Sequence, residues 1–273
     1  MDERVIVTLT TYNKRIDNIP IVLDTIFSQS LCPDLVVVNL SFDEFIPERV
    51  QRYVDSHNIE VNFVKDTKVY KKLIPTLKRY PCDCVISIDD DFLYPKTMIE
   101  DFITVHNLYP HYPISGNSIV LYGMQCHCGC ASLTKADFFG RFLEQIDDTV
   151  ISNCASDDMV YSYFSNMNEH PYIRTQAQYF NNMESYNLVE SYSSKVVKDN
   201  GVENTYNYLI KEFGKCPDNI WHYHNCGYDS IVDEIVQSYI NMGRNEVRST
   251  VTYRVGEMLL KPMKFVNRLI SSK

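Results

Sequence analysis

The sequence predicts an α/β protein built on an open, largely parallel sheet, and three observations carry that prediction. Apolar β-branched runs and helix-patterned segments alternate four times in the first half of the chain. The apolar runs are continuous, as in strands covered on both faces. Polar and charged residues gather just after each run, where such sheets keep their ligands.

The elements follow in order. "RVIVTLT" (4–10) reads as a buried strand. Residues 16–30 place Ile19, Leu23, Ile26 and Phe27 on a helical stripe, with Pro20 suited to a first turn. "DLVVVNLS" (34–41) is a second strand, "PERVQRYVDS" (47–56) a short helix and "IEVNFV" (59–64) a third strand. "VYKKLIPTLKRY" (69–80) is helical but carries Pro75, which kinks or splits it. "CVISID" (84–89) is a fourth strand, and a helix opened by Pro95 runs over 95–108. Such β-α alternation implies crossover connections in one sheet. The second half is less regular. A strand is expected over 117–123, a strand or loop leading into a helix over 128–146, and helices over 157–170 and 202–214, the last ending at Gly214.

The 273 residues, 45% apolar and 22% charged, suffice for a substantial core. No apolar run approaches the ~20 residues of a membrane span. "MDERVIVTL" reads as a strand and not as a signal peptide, and nine scattered cysteines read as reduced thiols, so a cytoplasmic location is expected. The net charge of −9 argues against nucleic-acid binding. Residues 244–273 nevertheless carry seven Lys/Arg against two acids. Within them, 255–273 interleaves cations with Met258, Leu259, Phe265, Val266, Leu269 and Ile270, a basic amphipathic pattern suited to peripheral contact with the inner face of a membrane.

Asp89, Asp90 and Asp91 close the fourth strand. Three adjacent carboxylates repel unless a cation sits among them, and an oxygen-only ligand set suits Mg²⁺ or Mn²⁺. The competing explanation is an acidic cap on the following helix. No glycine precedes Gly116, which removes glycine-based phosphate cradles from the first turns of the fold. A bound diphosphate would therefore rely on metal and cationic side chains. Asp157 and Asp158 open the helix at 157–170, where a carboxylate could act as general base or merely favour the helix dipole. Lys71 and Lys72 are either donor-side cations or a solvated helix face, and Thr10, Thr11 and Arg15 are either ligand contacts or turn chemistry. "CHCGC" (126–130) has spacing too tight for an ordinary zinc site, so packed thiols are expected there.

"VTLTTYNKRI", "VYKKLIPTLKRYPCDCVISIDDDFLYP" and "SDDMVYSYF" together resemble the GT-A glycosyltransferases, nearest to bacterial enzymes of capsule, lipopolysaccharide and related glycan synthesis. The resemblance spans roughly residues 4–170. It implies a Rossmann-like α/β/α sandwich; with no internal repeat and no Gly-, Pro- or Ser-rich linker, one domain over 1–254 with 255–273 as a tail is expected. It also implies transfer from a nucleotide-sugar, a UDP-sugar first among them, to a saccharide or lipid-linked acceptor. Thr10, Thr11, Tyr12 and Arg15 would border the nucleotide, with Tyr70, Lys71, Lys72, Asp89 and Asp90 also on the donor. Asp89 and Asp91 would bind the metal, and Asp158, with Asp157 beside it, would be the base of an inverting reaction. His222 or His224 in "WHYH" would be a further metal ligand. The chain departs from the family at Asn204-Thr205, where an Asn-Asp pair is common, and lacks the Q-x-x-R-W motif of processive synthases. Two alternatives stay open. One is a Mg²⁺-dependent phosphohydrolase or phosphotransferase of dehalogenase type, although "TLTTYN" offers no nucleophilic acid after the first strand. The other is a catalytically silent binding protein of the same fold.

Overall fold

The computed structural model describes residues 3–12, 14–175, 181–182 and 200–216, all within the first of two units into which the chain divides, Met1–Tyr223. The expected boundary at 254/255, the basic tail and "WHYH" lie outside the described residues.

The four apolar runs form strands β1 (Val5–Thr10), β2 (Leu35–Ser41), β3 (Ile59–Val64) and β4 (Cys84–Ile88). They pair in parallel in the order β3-β2-β1-β4. Helices α1 (Ile19–Phe27), α2 (Glu48–Asp55) and α3 (Ile74–Arg79) connect them. β1, β2 and β4 are buried on both faces: Ile6, Val7, Val36, Val37, Val85 and Ile86 are inaccessible to solvent. β3 is the sheet edge, and its side chains are partly or fully exposed.

Beyond β4 come β5 (Phe92–Leu93), α4 (Met98–Leu108), β6 (Ile114–Ser115), β7 (Ser118–Leu121), β8 (Met124–His127) and β9 (Ala131–Thr134). They are followed by α5 (Asp148–Asn153), α6 (Asp157–Met167), β10 (Ile173–Arg174), β11 (Asn181–Asn182) and α7 (Gly201–Phe213). One seven-stranded sheet results, in the order β10-β6-β9-β4-β1-β2-β3. β9 runs antiparallel to both of its neighbours, β4 and β6, and the other pairings are parallel. The two-residue turn of the β7–β8 hairpin holds Tyr122 and Gly123 at positive φ, the geometry a tight hairpin requires.

Proline chemistry explains where the elements depart from expectation. Pro75 splits the 69–80 segment into a 3₁₀ turn (Lys68–Lys72) and α3, because a proline inside the helix would forfeit an intrahelical bond. Pro95 sits in a turn, and α4 begins three residues later, at Met98. The helix expected over 16–30 starts with a 3₁₀ turn (Ile16–Asn18) and ends at Phe27. The helix expected before residue 146 is two 3₁₀ segments, Ala136–Phe138 and Gly140–Gln145, joined at Gly140 with φ 51°.

Candidate functional site

The carboxyl ends of β1, β2 and β4 open onto a cleft of about 740 Å³. It is walled by the turn after β1, the 3₁₀ turn at 68–72, the aspartates after β4 and the start of α6. Thr10, Thr11, Tyr12, Arg15, Lys71, Lys72, Asp89, Asp90, Asp91, Asp157 and Asp158 all line it. Tyr70 does not. Its ring lies in the core against Tyr161, and its hydroxyl donates to the Cys154 carbonyl at 3.0 Å. A 3₁₀ turn points successive side chains apart, so Tyr70 turns inward while Lys71 and Lys72 face the cleft.

The helix-cap explanation for the aspartate triplet fails, because α4 starts at Met98 with Thr97 ahead of it, well beyond Asp91. Instead the carboxylates meet protein cations. The Arg15 guanidinium spans two of them, Nη1 at 2.5 Å from Asp90 Oδ1 and Nη2 at 3.0 Å from Asp91 Oδ2. Thr11 Oγ1 donates to Asp90 Oδ2 at 2.7 Å. Tyr12 places its ring 5.6 Å from the same guanidinium, and Thr10 Oγ1 donates to the Asn39 carbonyl, tying the turn to β2. The Tyr94 hydroxyl accepts from the Asp89 backbone N–H at 2.8 Å and reaches the Cys130 carbonyl at 2.9 Å, which fixes the loop over β9.

Lys72 is the bridge across the cleft. Its ammonium lies 3.1 Å from Asp89 Oδ1, 3.0 Å from Asp157 Oδ2 and 3.9 Å from Asp158 Oδ1. Burial works against its charge, but Asp157, Asp89 and Asp158 outweigh burial and hold its pKa well above the ordinary value. Lys71 is likewise buried, between Asp66 at 3.1 Å, Glu44 at 3.6 Å and the Ser41 hydroxyl. Neither lysine lies on a solvated helix face.

Ser156 caps α6, accepting from the Met159 N–H, so Asp157 and Asp158 are not needed as caps. Their carboxylates turn to Lys72, and Gly129 N–H donates to Asp158 Oδ2 at 3.3 Å. Burial, then repulsion from Asp157, pushes the Asp158 carboxyl up. Burial pushes Asp89 up to about 7 against the pull of Lys72. Charge adds to burial in both shifts: the cleft is lined by seven carboxylates against Arg15, Lys68, Lys71 and Lys72. That formal excess of three negative charges and the all-oxygen donor set fit a hard divalent cation. Asp89 keeps part of its carboxylate open to the cleft, whereas Asp91 is closed in by Arg15.

Three contributors stand outside the sequence expectation. Thr205 of α7 accepts the Ala155 and Ser156 N–H groups with its hydroxyl, at 3.1 and 3.3 Å, and so pins the loop that delivers Asp157 and Asp158. Glu44 braces Lys71. His127, inside "CHCGC", approaches Asp158 from behind, with Nε2 3.5 Å from Oδ1. That motif could have flagged His127, but its cysteines drew the reading toward packed thiols. Among the described residues, the three ligand-type side chains close enough to share an ion are Glu3, Cys84 and His106. They lie at the amino end of β4, far from the cleft, where Lys135 already pairs with Glu3.

No family model matches the sequence, and no curated protein matches it. Among solved structures, the chain is similar to the mannosyltransferase PcManGT from Pyrobaculum calidifontis, solved with GDP-Man and Mn²⁺. The identity is 15% and the TM-score 0.58, over 94% of this chain and 84% of that one. Weaker likenesses join it to a 4-diphosphocytidyl-2C-methyl-D-erythritol synthase (14%, TM-score 0.42, 64% of this chain and 91% of that one) and to S. aureus TarS (16%, TM-score 0.45, 64% and 35%). The chain has the GT-A type of α/β/α fold. Among the described residues no helix is long and apolar enough to cross a membrane.

Proposed function

We propose that this protein is a metal-dependent glycosyltransferase that moves a sugar from a nucleotide-sugar, a UDP-sugar first among the candidates, to a saccharide or lipid-linked saccharide in surface-glycan synthesis. One observation carries the reading: a strand-end aspartate cluster faces a second acid pair across the buried Lys72 in a single cleft. The GDP-Man and Mn²⁺ bound by PcManGT support a nucleotide-sugar donor and a divalent ion.

Asp89 and Asp91 are the residues that would hold the ion, which would offset charge on the leaving diphosphate as a Lewis acid. Thr10, Thr11 and Tyr12 border the donor side, with Arg15 keeping Asp90 and Asp91 in place. Lys72, held between both acid groups, adds positive charge beside the bond that breaks. Asp158 takes the proton of the acceptor hydroxyl as its oxygen attacks the anomeric carbon, giving inversion. Burial makes its carboxylate a stronger base than one in water. Peripheral membrane contact through 255–273 would bring a lipid-linked acceptor within reach.

The test is a thermal-shift panel of UDP, GDP, CDP and their sugars, with and without Mn²⁺. Stabilisation should need nucleotide and ion together and should vanish in Asp89→Ala/Asp91→Ala. Equal binding in EDTA would rule out the metal bridge. Asp158→Asn should keep donor binding and lose transfer.

A further inference from the structure

His127 is buried behind Asp158, at the end of β8, and the function proposed above does not use it. Its hydrogen bonds bear on which nitrogen carries the proton. Ser115, on β6, has one hydroxyl proton, and its Oγ donates to the Asn117 carbonyl while accepting the Asn117 N–H at 3.2 Å. His127 Nδ1 lies 2.6 Å from the same oxygen. With the serine proton on the Asn117 carbonyl, which also accepts the Cys128 N–H, Nδ1 is the donor to Oγ. Nε2 is then left with a lone pair, aimed at Asp158 Oδ1 3.5 Å away. That oxygen is buried and receives no hydrogen bond from the protein. The ring cannot swing away. Its plane stacks on Tyr172 with centroids 5.5 Å apart, and its backbone N–H is held by Ser162 Oγ, which itself donates to the Asp158 carbonyl.

The geometry points to His127 as a positioning residue for Asp158. Locked by Ser115 with its proton on Nδ1, it presents a lone pair to the carboxylate, so that taking up a proton relieves a repulsion. Two facing acceptors disfavour the anion. Once the acid is protonated, its hydroxyl can donate to Nε2, or its Oδ1 loses most of its charge. In either case the state that follows proton abstraction is the favoured one. Burial, then Lys72, keeps the imidazole neutral, with its pKa lowered to about 3, so the proton stays on Asp158. The other titratable groups facing the pair are Asp157, Asp89, Tyr161, Tyr172 and Cys130, and none of them donates to Asp158 Oδ1.

This inference rests on Asp158 as the base, and its test is independent of any sugar substrate. ¹⁵N NMR of histidine-labelled protein at pH 7.5, with the His127 signal assigned by its loss in His127→Gln, should show a neutral ring protonated at Nδ1. ¹³C titration of the Asp158 carboxyl in metal-free protein should give a midpoint that falls by about one pH unit or more in His127→Gln, a tenfold loss of proton affinity. The amide of that variant can turn its N–H to the carboxylate, which the locked imidazole cannot do. A ring protonated at Nε2, or an unmoved midpoint, overturns the inference and leaves the base role of Asp158 intact. The base role has its own test in Asp158→Asn, where undiminished transfer would remove it and with it the catalytic meaning of the pair. If His127→Gln is unstable, the His127 signal can be assigned in the wild-type protein by sequential backbone correlation, so the tautomer measurement needs only the wild-type fold.

Discussion

At the scale of single residues, two buried groups set the electrostatics of the cleft. Lys72 neutralises carboxylates from two different elements, and no other cation lies within ion-pair distance of Asp157 among the described residues. Removing one partner of a buried ion pair typically costs about 3–5 kcal/mol, because the remaining charge stays desolvated. Lys72→Met should therefore lower the melting temperature of chelated protein by on the order of 10 °C. A loss below ~1 kcal/mol in urea unfolding would mean that water or another cation already screens the acids. His127 makes a prediction about pH. Its folded pKa of about 3 lies below the ordinary 6.5, so between those values the unfolded chain binds a proton that the folded chain refuses. Its contribution is complete above pH 6.5 and is lost as the pH falls. The loss amounts to about 2 kcal/mol at pH 5. Asp89 acts in the opposite sense: its raised pKa lets the folded state keep a proton between about pH 4 and 7, so stability falls there as pH rises. The clean observable is therefore a difference. Between pH 5 and pH 4, below the Asp158 midpoint of both folded proteins, wild type should lose about 1.4 kcal/mol relative to His127→Gln, and a pH-independent difference there would contradict the buried neutral imidazole.

At the scale of elements, the site depends on how α7 meets α6. Thr205 is inaccessible to solvent, and its hydroxyl accepts two N–H groups from the loop before Asp157. Thr205→Val keeps the shape and removes the acceptor, leaving both donors unpaired, at about 1–3 kcal/mol for each buried group. Thr205→Ser should retain most of the stability, and Thr205→Val should lose transfer activity more steeply than Thr205→Ser. Equal behaviour of the two would reduce Thr205 to packing. This contact also shows what a sequence can and cannot carry. β1 to β4 were legible because continuous Val/Ile runs leave a buried strand as the sensible outcome, and Asp89–Asp91 because a strand end in such a sheet is where a ligand goes. The split at Pro75 was legible in kind. The antiparallel β9 was not, since "ASLT" has no feature that distinguishes its direction. Nor were the partners. Arg15 and Asp90 are 75 residues apart, Ser115 and His127 belong to different sheets, and Thr205 looked like a departure from a motif. Those pairings exist only once the loops have been brought together.

At the scale of the whole molecule, the question is where the chain's negative charge is concentrated. The formal charge is −9, and the cleft alone holds an excess of three carboxylates. Diffuse surface charge responds to ionic strength, because salt screens it over roughly 8–10 Å. A closed cluster responds instead to an ion that enters it. Arg15 and Lys72 let the fold exist without that ion, yet they leave Asp89 with a pKa near that of the solution at pH 7. Under-neutralised acids of this kind should make the protein bind a divalent cation even before any nucleotide arrives. Mn²⁺ added to EDTA-treated protein at pH 7.5 should raise the unfolding free energy by about 2.7 kcal/mol once its concentration reaches 100 times Kd. NaCl at matched ionic strength should raise it by much less, and Asp89→Asn/Asp91→Asn should abolish the difference between the salts. If Mn²⁺ and NaCl act alike on the wild type, the two protein cations already satisfy the cluster. The cleft would then have to recruit its ion only together with a diphosphate.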